Sequence, residues 1–374
     1  MRVLIAGMTG QLGAGLVEAA TQSNLELVPV VRSVGARTGS MRVQRLFSTA
    51  RGLADRTLHG DVTEPMWGLS REDIELLRGR VDAVLNLAGE TNWAAPASRL
   101  SAVNVAGALH GLDLANELTC DERAPLYCYA SSIHAAGAID GWVPEQPLAA
   151  DSRRTPYEQS KWYAERLLLD RSRRYPGAVA IARVGGLVGN STTGATAKRN
   201  SLYVLADNWR RLPLHVVPVA RAGRVDMLPR NHAAGMLLRF VDALAKRPLG
   251  AAEIAHICAG ETAPTTAALL AAVRSVDAWG EVDPPRAVPV HPRLLAWLSE
   301  HLDRAIEMSP ARQNMLWGLR YLTFDRLFER STLARLAPGA LPSANVEQIA
   351  RIVFGLRRAG AEAEDHRPLA RFAG

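Results

Sequence analysis

The sequence predicts an α/β fold, a doubly wound parallel sheet with a smaller, mainly helical C-terminal region. Three observations predict it. Short apolar runs alternate with helical patterns through the first half of the chain, as βα units on a parallel sheet require. Those runs are continuous rather than alternating, as in strands covered on both faces. A glycine-containing turn joins the first run to the first helix. Taken in order, Val3–Ala6 reads as a strand and Leu12 to Ala20 as the helix after it. Leu25 to Val31 and Thr57 to His59 follow as strands, the latter ending in Gly60 and Asp61. Ala83 to Leu87 is a fourth strand, leading to a long helix from Leu100 to Leu118. Pro125 to Ala130, a helix over Tyr157 to Asp170 and Val179–Val184 complete the regular pattern, and Ile254 to Cys258 returns as a last core strand.

The pattern changes after Gly185, which divides the chain into residues 1–185, with the last core strand near 254–258, and residues 186–374. Residues 186–250 are mixed and include a Ser/Thr/Gly loop from Asn190 to Gly194. Glu281 to Pro292, with four prolines, reads as a surface linker. Arg293 to about Arg358 reads as helical, with Leu294, Leu295, Trp297 and Leu298, and the last dozen residues read as a tail.

Hydrophobic residues at 48% and charged residues at 22% describe an ordinary soluble globular chain. No run approaches the ~20 apolar residues of a spanning helix, and the N-terminus turns into glycines too soon for a secretory signal. Cys120, Cys128 and Cys258 have neither zinc spacing nor a disulfide pattern, so a reducing cytoplasm is expected. The net charge is +7, and only three of the 44 basic residues are lysine. Two readings fit: an arginine-rich composition bias, or an anionic partner such as a phosphorylated cofactor, coenzyme A or an acidic carrier protein. Nucleic acid is not indicated, because no basic helix or aromatic-basic interleaving is present.

Gly7-Met8-Thr9-Gly10-Gln11-Leu12-Gly13 sits where strand turns into helix. Beside a pyrophosphate, glycines there permit a tight turn, close backbone approach and close helix–sheet packing, and the helix N-terminus offers N–H groups to the phosphates. The first half is therefore expected to be a Rossmann-type dinucleotide-binding unit. Arg32, at the end of the second strand with Arg37 nearby, favours a 2′-phosphate, hence NADP(H). Asp61, followed by Val62, either binds the adenine amino group or caps its own turn.

Tyr157-Glu158-Gln159-Ser160-Lys161 places a phenol and an ammonium at i and i+4 on one helix face. Thr155, Pro156 and Glu158 form a capping-box helix start. The helix dipole and Lys161 are expected to favour phenolate. Ser132 stands at the end of the fifth strand, where ligands of such sheets bind, with Ser131 as its competitor. His134 is expected to be partly buried and satisfied by protein partners.

These residues, together with Asn104 in Asn104-Val105-Ala106-Gly107, resemble the extended short-chain dehydrogenase/reductases. Softer features resemble the branch of fatty acyl-CoA reductases and thioester-reductase domains. They are Gly60-Asp61-Val62-Thr63-Glu64-Pro65-Met66-Trp67-Gly68-Leu69-Ser70, the Arg183–Gly194 stretch, and Asp226-Met227-Leu228-Pro229. Phe324 to Leu333 resembles a C-terminal stretch of fatty acyl-CoA reductases. Two departures stand out: Asn231 replaces a second aspartate, and Asn86-Leu87-Ala88-Gly89 replaces a histidine and two alanines near the nicotinamide. The resemblance implies a catalytic Ser132, Tyr157 and Lys161, with Ala88, Asn104 and Lys161 on the cofactor side. It further implies that residues 186–374 bind substrate. The implied activity is NADPH-dependent reduction of a carbonyl, best matched by an acyl thioester on coenzyme A or an acyl carrier protein, taken to an aldehyde or an alcohol. Rivals within the superfamily are ketone or aldehyde reductases, hydroxysteroid-type dehydrogenases and nucleotide-sugar epimerases. A non-catalytic dinucleotide sensor is the rival from another class. The oligomeric state is left open.

Overall fold

Strands β1 (Arg2–Ala6), β2 (Glu26–Val31), β3 (Leu58–His59), β4 (Ala83–Asn86), β5 (Leu126–Ser132), β6 (Val179–Val184) and β7 (Ala252–Ile257) form one sheet. Their order is β7-β6-β5-β4-β1-β2-β3, and every neighbouring pair is parallel. The computed structural model describes all residues except 22–23, 35–37, 49, 51, 122, 152–153, 198–202, 204–215, 221, 247–251, 277–285, 291–320, 322–323, 340 and 356–374. The chain runs outward from β1 to β3, then crosses back to β4. A crevice therefore opens at the carboxyl ends of β1 and β4, the place where such sheets bind ligands.

Strand residues alternate between two apolar layers, as a period of two requires. Val3 and Ile5 face a layer with Leu16, Val31, Leu85 and Phe240. Leu4 and Ala6 face the other, with Val30, Trp67, Leu112, Tyr127 and Leu168. Each such side chain, fully buried, contributes about 1.5–3 kcal/mol. The first layer is covered by α1 (Gln11–Ala20) and the second by α3 (Arg71–Leu77). A helical stretch over 97–117, here α4, also covers the second layer. It is α-helical at Ala97–Leu100, widens into a π turn at Ser101–Ala106 and resumes at Gly107–Glu117. The next helix, α5 (Pro156–Ser172), has the expected start. Thr155 Oγ1 accepts from the Glu158 N–H at 3.3 Å and Glu158 Oε2 accepts from the Thr155 N–H at 2.7 Å.

Several expectations beyond Gly185 are corrected. Arg230–Ala245 is a helix, α6, packed on α1. Its apolar residues at 233, 234, 237, 240, 241 and 244 recur at helical spacing. Gly15 permits the contact, since a Cβ there would lie 2.6 Å from the Arg230 carbonyl oxygen. Within the expected linker, Arg286–Pro289 pairs in parallel with Val216–Val219. The expected long C-terminal helix falls partly outside the described residues, as do Arg37, residues 291–320 and the tail. The rest is broken into a strand, Arg326–Phe328, paired with Gly141–Val143, and short helices at Ser331–Leu336 and Val346–Ala350. Pro338 and Pro342 remove the N–H groups that a continuous helix needs.

This C-terminal segment is fastened by half-buried carboxylates. Glu145 accepts the Thr332 N–H at 2.6 Å and the His256 N–H at 2.6 Å, while Glu329 accepts the Glu145 N–H at 2.8 Å. Beneath them lies an ion pair between Arg183 and Glu165, 2.8 Å apart and almost wholly buried. No helix of the described residues is long and apolar enough to cross a membrane.

Candidate active site

The carboxyl ends of β1, β4 and β5 and the start of α5 converge on one crevice. On its β1 side, Gly7 adopts φ +83°, and a Cβ there would lie 2.3 Å from the Ala88 nitrogen. Only glycine fits between the turn and the β4 loop. Gly13 is equally constrained, its Cβ falling 2.4 Å from Met8. Gly10 has only the Gly7 carbonyl oxygen near its Cβ position, at 3.3 Å, and caps α1 with no side-chain bond. A pyrophosphate thus has open space and an uncapped helix N-terminus, and these residues fit a dinucleotide. Thr9 lies half-buried in the turn, and Leu12 is buried below it. The Gln11 side chain bonds Thr196 and accepts from the Ala197 N–H at 3.1 Å, tying the residues just after the Ser/Thr/Gly loop to the turn.

At the end of β2, Arg32 lies 3.8 Å from Asp61. Asp61 Oδ1 accepts from the Thr63 N–H and hydroxyl, both at 3.0 Å, so Asp61 does cap its own turn. Burial raises its pKa, but the two Thr63 bonds and the charges of Arg32 and Arg99 outweigh burial and hold it below the usual range. Arg42, on α2 (Gly39–Leu46), was not anticipated. Its guanidinium donates to the Arg32 carbonyl at 2.8 Å. Burial and the charge of Arg32 both lower its pKa, placing a second cation beside the first. Val62 is buried against the middle of α4, where a Gly107 Cβ would lie 3.2 Å from it.

Ser132 ends β5, and Tyr157 lies in the first turn of α5. The Ser132 hydroxyl stands beside the phenol and lowers its pKa. Ser131 is turned away, its hydroxyl donating to Glu165 at 2.5 Å. Of the two serines, Ser132 is the one that meets the phenol. The expected phenolate is corrected. Burial pushes the Tyr157 phenol up to about 12, only partly offset by Ser132. Burial likewise lowers Lys161 to about 7, with Glu165 acting in the opposite sense. Desolvation thus outweighs the helix dipole at Tyr157 and the charge of Glu165 at Lys161. The Lys161 ammonium donates to the Ala130 carbonyl at 2.9 Å and the Tyr129 hydroxyl at 3.1 Å.

Tyr129 in turn donates to the Asn104 carbonyl at 2.9 Å, in the π turn of α4. The Asn104 side chain accepts from the Glu90 N–H at 2.9 Å and donates to Ser160 Oγ at 2.9 Å. Gly89 rests against both groups: a Cβ there would lie 3.3 Å from Lys161 Nζ and 3.5 Å from Asn104 Oδ1. Lys161 and Asn104 therefore face the same pocket as the glycine turn. Asn86 does not. Its amide donates to the Gly107 carbonyl at 2.9 Å and accepts from the Ala88 N–H at 3.2 Å, so the departure at this position serves the β4 turn. Asn231 holds the Ser/Thr/Gly loop, bonding the Ser191 N–H at 2.9 Å and Oγ at 2.8 Å.

The far wall was not legible in the sequence. Trp93, Leu100, Tyr157 and Tyr321 form one apolar cluster, and Tyr321 donates to Glu158 Oε1 at 2.5 Å. No spacing rule joins Trp93 to Tyr321. Glu165, by contrast, follows Lys161 at i+4 and was within reach of helical spacing. Among the described residues no cluster of His, Cys, Asp or Glu could hold a metal ion.

The chain is similar to a component of the linear gramicidin synthase of Brevibacillus parabrevis, 28% identical over 62% of this chain and 5% of that protein. It is also similar to the L-2-aminoadipate reductase large subunit of Penicillium chrysogenum, 28% identical over 63% of this chain and 18% of that one. The chain thus spans less than a fifth of the length of either relative. In structure it is similar to the terminal R domain from the myxalamid PKS-NRPS biosynthetic pathway, with TM-score 0.73, 23% identity and coverage of 96% and 91% of the two chains. The model of the male sterility protein family matches residues 5–237. The chain belongs to that family, the thioester-reductase branch of the extended short-chain dehydrogenase/reductases.

Proposed function

We propose that the chain is a nicotinamide-dinucleotide-dependent reductase that uses NADP(H) to reduce an acyl thioester to an aldehyde, releasing the thiol. One observation carries the reading: the Ser132 hydroxyl stands beside the Tyr157 phenol, and Lys161, one helical turn on, borders the same β4 loop against which Gly7 packs. The family and its thioester-handling branch support the substrate class.

Gly7, Thr9, Gly10, Gln11, Leu12 and Gly13 would hold the pyrophosphate. Ala88, Asn104 and Lys161 would hold the nicotinamide end, with Asp61 and Val62 near the adenine. Arg32 and Arg42 support NADP(H) over NAD(H), since two guanidiniums suit a 2′-phosphate. The bound dinucleotide supplies a hydride to the carbonyl carbon. Ser132 and Tyr157 donate hydrogen bonds to the carbonyl oxygen, stabilising its growing negative charge more than the ground state. Tyr157, protonated at neutral pH, gives its proton to that oxygen, forming a hemithioacetal. Collapse breaks the C–S bond; the hydroxyl proton returns to Tyr157, the sulfur takes a proton from solvent, and aldehyde and thiol leave. Lys161 orients the ribose and steadies the phenolate formed in between.

Residues 1–185 are assigned to cofactor binding, with β7 completing the sheet. Residues 186–374 are assigned to acyl and carrier recognition, with coenzyme A or a carrier protein delivering the thioester. NADPH absorbance followed in parallel with acyl thioesters, simple ketones and nucleotide sugars tests the assignment. Turnover of thioesters is expected, whereas turnover confined to ketones or sugars rejects it.

A further inference from the structure

The reaction proposed above uses Ser132, Tyr157 and Lys161 and leaves one polar atom beside them unpaired. Nδ1 of His134 is shielded from solvent and has no hydrogen-bond partner among the described residues. A satisfied histidine was expected here. The contrast with His256 is direct, since its Nδ1 meets the Glu329 carbonyl at 2.8 Å and its Nε2 meets Arg183 at 3.4 Å. A buried polar atom without a partner is costly, so it persists where something outside the chain supplies one.

The position of His134 says what that is. Its backbone N–H donates to Ser132 Oγ at 3.2 Å, which fixes the residue next to the hydroxyl that faces Tyr157. Its ring lies edge-on to Trp93 at 5.7 Å between centroids and tilted against Tyr321 at 4.0 Å. Trp93 is in turn 6.2 Å from the Tyr157 ring. Among the described residues the imidazole is therefore the one basic ring in an aromatic wall that runs up to the phenol. Burial, helped by the charge of Arg326, holds it well below its ordinary pKa and keeps it neutral. A neutral imidazole has one donor and one acceptor nitrogen, exchanged by tautomer.

We propose that His134 is a substrate-contacting residue whose Nδ1 pairs with an amide group of the thioester, carried on the acyl chain or on the thiol arm. This inference rests on the thioester reading above. An amide fits on three counts. Its flat face packs on Trp93 and Tyr321, its edge offers N–H or C=O to the imidazole, and it is uncharged. A carboxylate or ammonium would be stripped of water among these rings at far greater cost.

Four thioesters distinguish the two sources of the amide: an N-acylaminoacyl or a plain alkanoyl chain, each on N-acetylcysteamine or on an alkanethiol. The wild type should favour the amide-bearing member on one arm by about ten-fold in kcat/KM, the order expected of one buried hydrogen bond. His134→Phe should erase that preference, His134→Gln should keep part of it, and NADPH dissociation constants should stay within about two-fold in both. Three results overturn the proposal: no amide preference in the wild type, a preference surviving in His134→Phe, or an equal loss across all four thioesters. If the wild type oxidises NADPH with none of the four, it is the thioester reading itself that fails.

Discussion

The Ser132 hydroxyl stands beside the Tyr157 phenol in the first turn of α5, while the adjacent Ser131 hydroxyl is bonded to Glu165, about two turns further along the same helix. One serine therefore meets the reacting oxygen and the other is tied up in the interior. Tyr157→Phe should therefore abolish turnover and leave NADPH affinity nearly unchanged. Ser132→Ala should lower kcat by roughly a hundred-fold, as loss of one oxyanion donor does. Ser131→Ala should leave kcat within a few-fold and lower the melting temperature instead. Steady-state kinetics and thermal unfolding of the three variants check this.

Lys161 gives the pH dependence. Its pKa is lowered to about 7 by burial, so the side chain is cationic below that pH and neutral above it. An anionic dinucleotide favours the cation, and binding should take up a proton. NADPH affinity should then fall as pH rises through 7, by at most ten-fold per pH unit. The Lys161→Met variant should lack that dependence. Fluorescence titration of NADPH between pH 6 and 9 reads both.

Cofactor choice should move with the two guanidiniums at the end of β2. Arg32→Ala should reduce the preference for NADPH over NADH by roughly 10–100-fold, as loss of a charge-assisted phosphate contact does. Arg42→Ala should act in the same direction with a smaller effect. Comparison of kcat/KM for the two cofactors decides it.

The Arg183–Glu165 pair is nearly inaccessible to water, and Arg183 also donates to the Gln146 carbonyl at 2.8 Å. Removing one partner leaves a buried charge uncompensated. Arg183→Met should therefore cost about 3–5 kcal/mol in denaturant unfolding. A smaller loss would mean that water or a neighbour takes over the Glu165 charge.

Much of this was legible in the sequence because the signals are local. The parallel strands follow from βα alternation, the glycine turn from the strand before it, and the start of α5 from Thr155, Pro156 and Glu158. Helix α6 carried a readable apolar period that the mixed composition around it obscured. What was not legible depends on the folded surroundings. Burial keeps the Tyr157 phenol protonated where phenolate was expected, and it lowers the Lys161 pKa. Trp93, His134 and Tyr321 come from three separate segments, and only tertiary packing brings their rings together. Arg42 looked like any other arginine in an arginine-rich chain until α2 brought it against Arg32.

The most direct test uses NADPH carrying deuterium at the transferable C4 position and an acyl thioester substrate. The product aldehyde should carry one deuterium at its carbonyl carbon, with one thiol released per aldehyde formed. Thiol release with no labelled aldehyde or alcohol would mean hydrolysis rather than reduction, and would contradict the assignment.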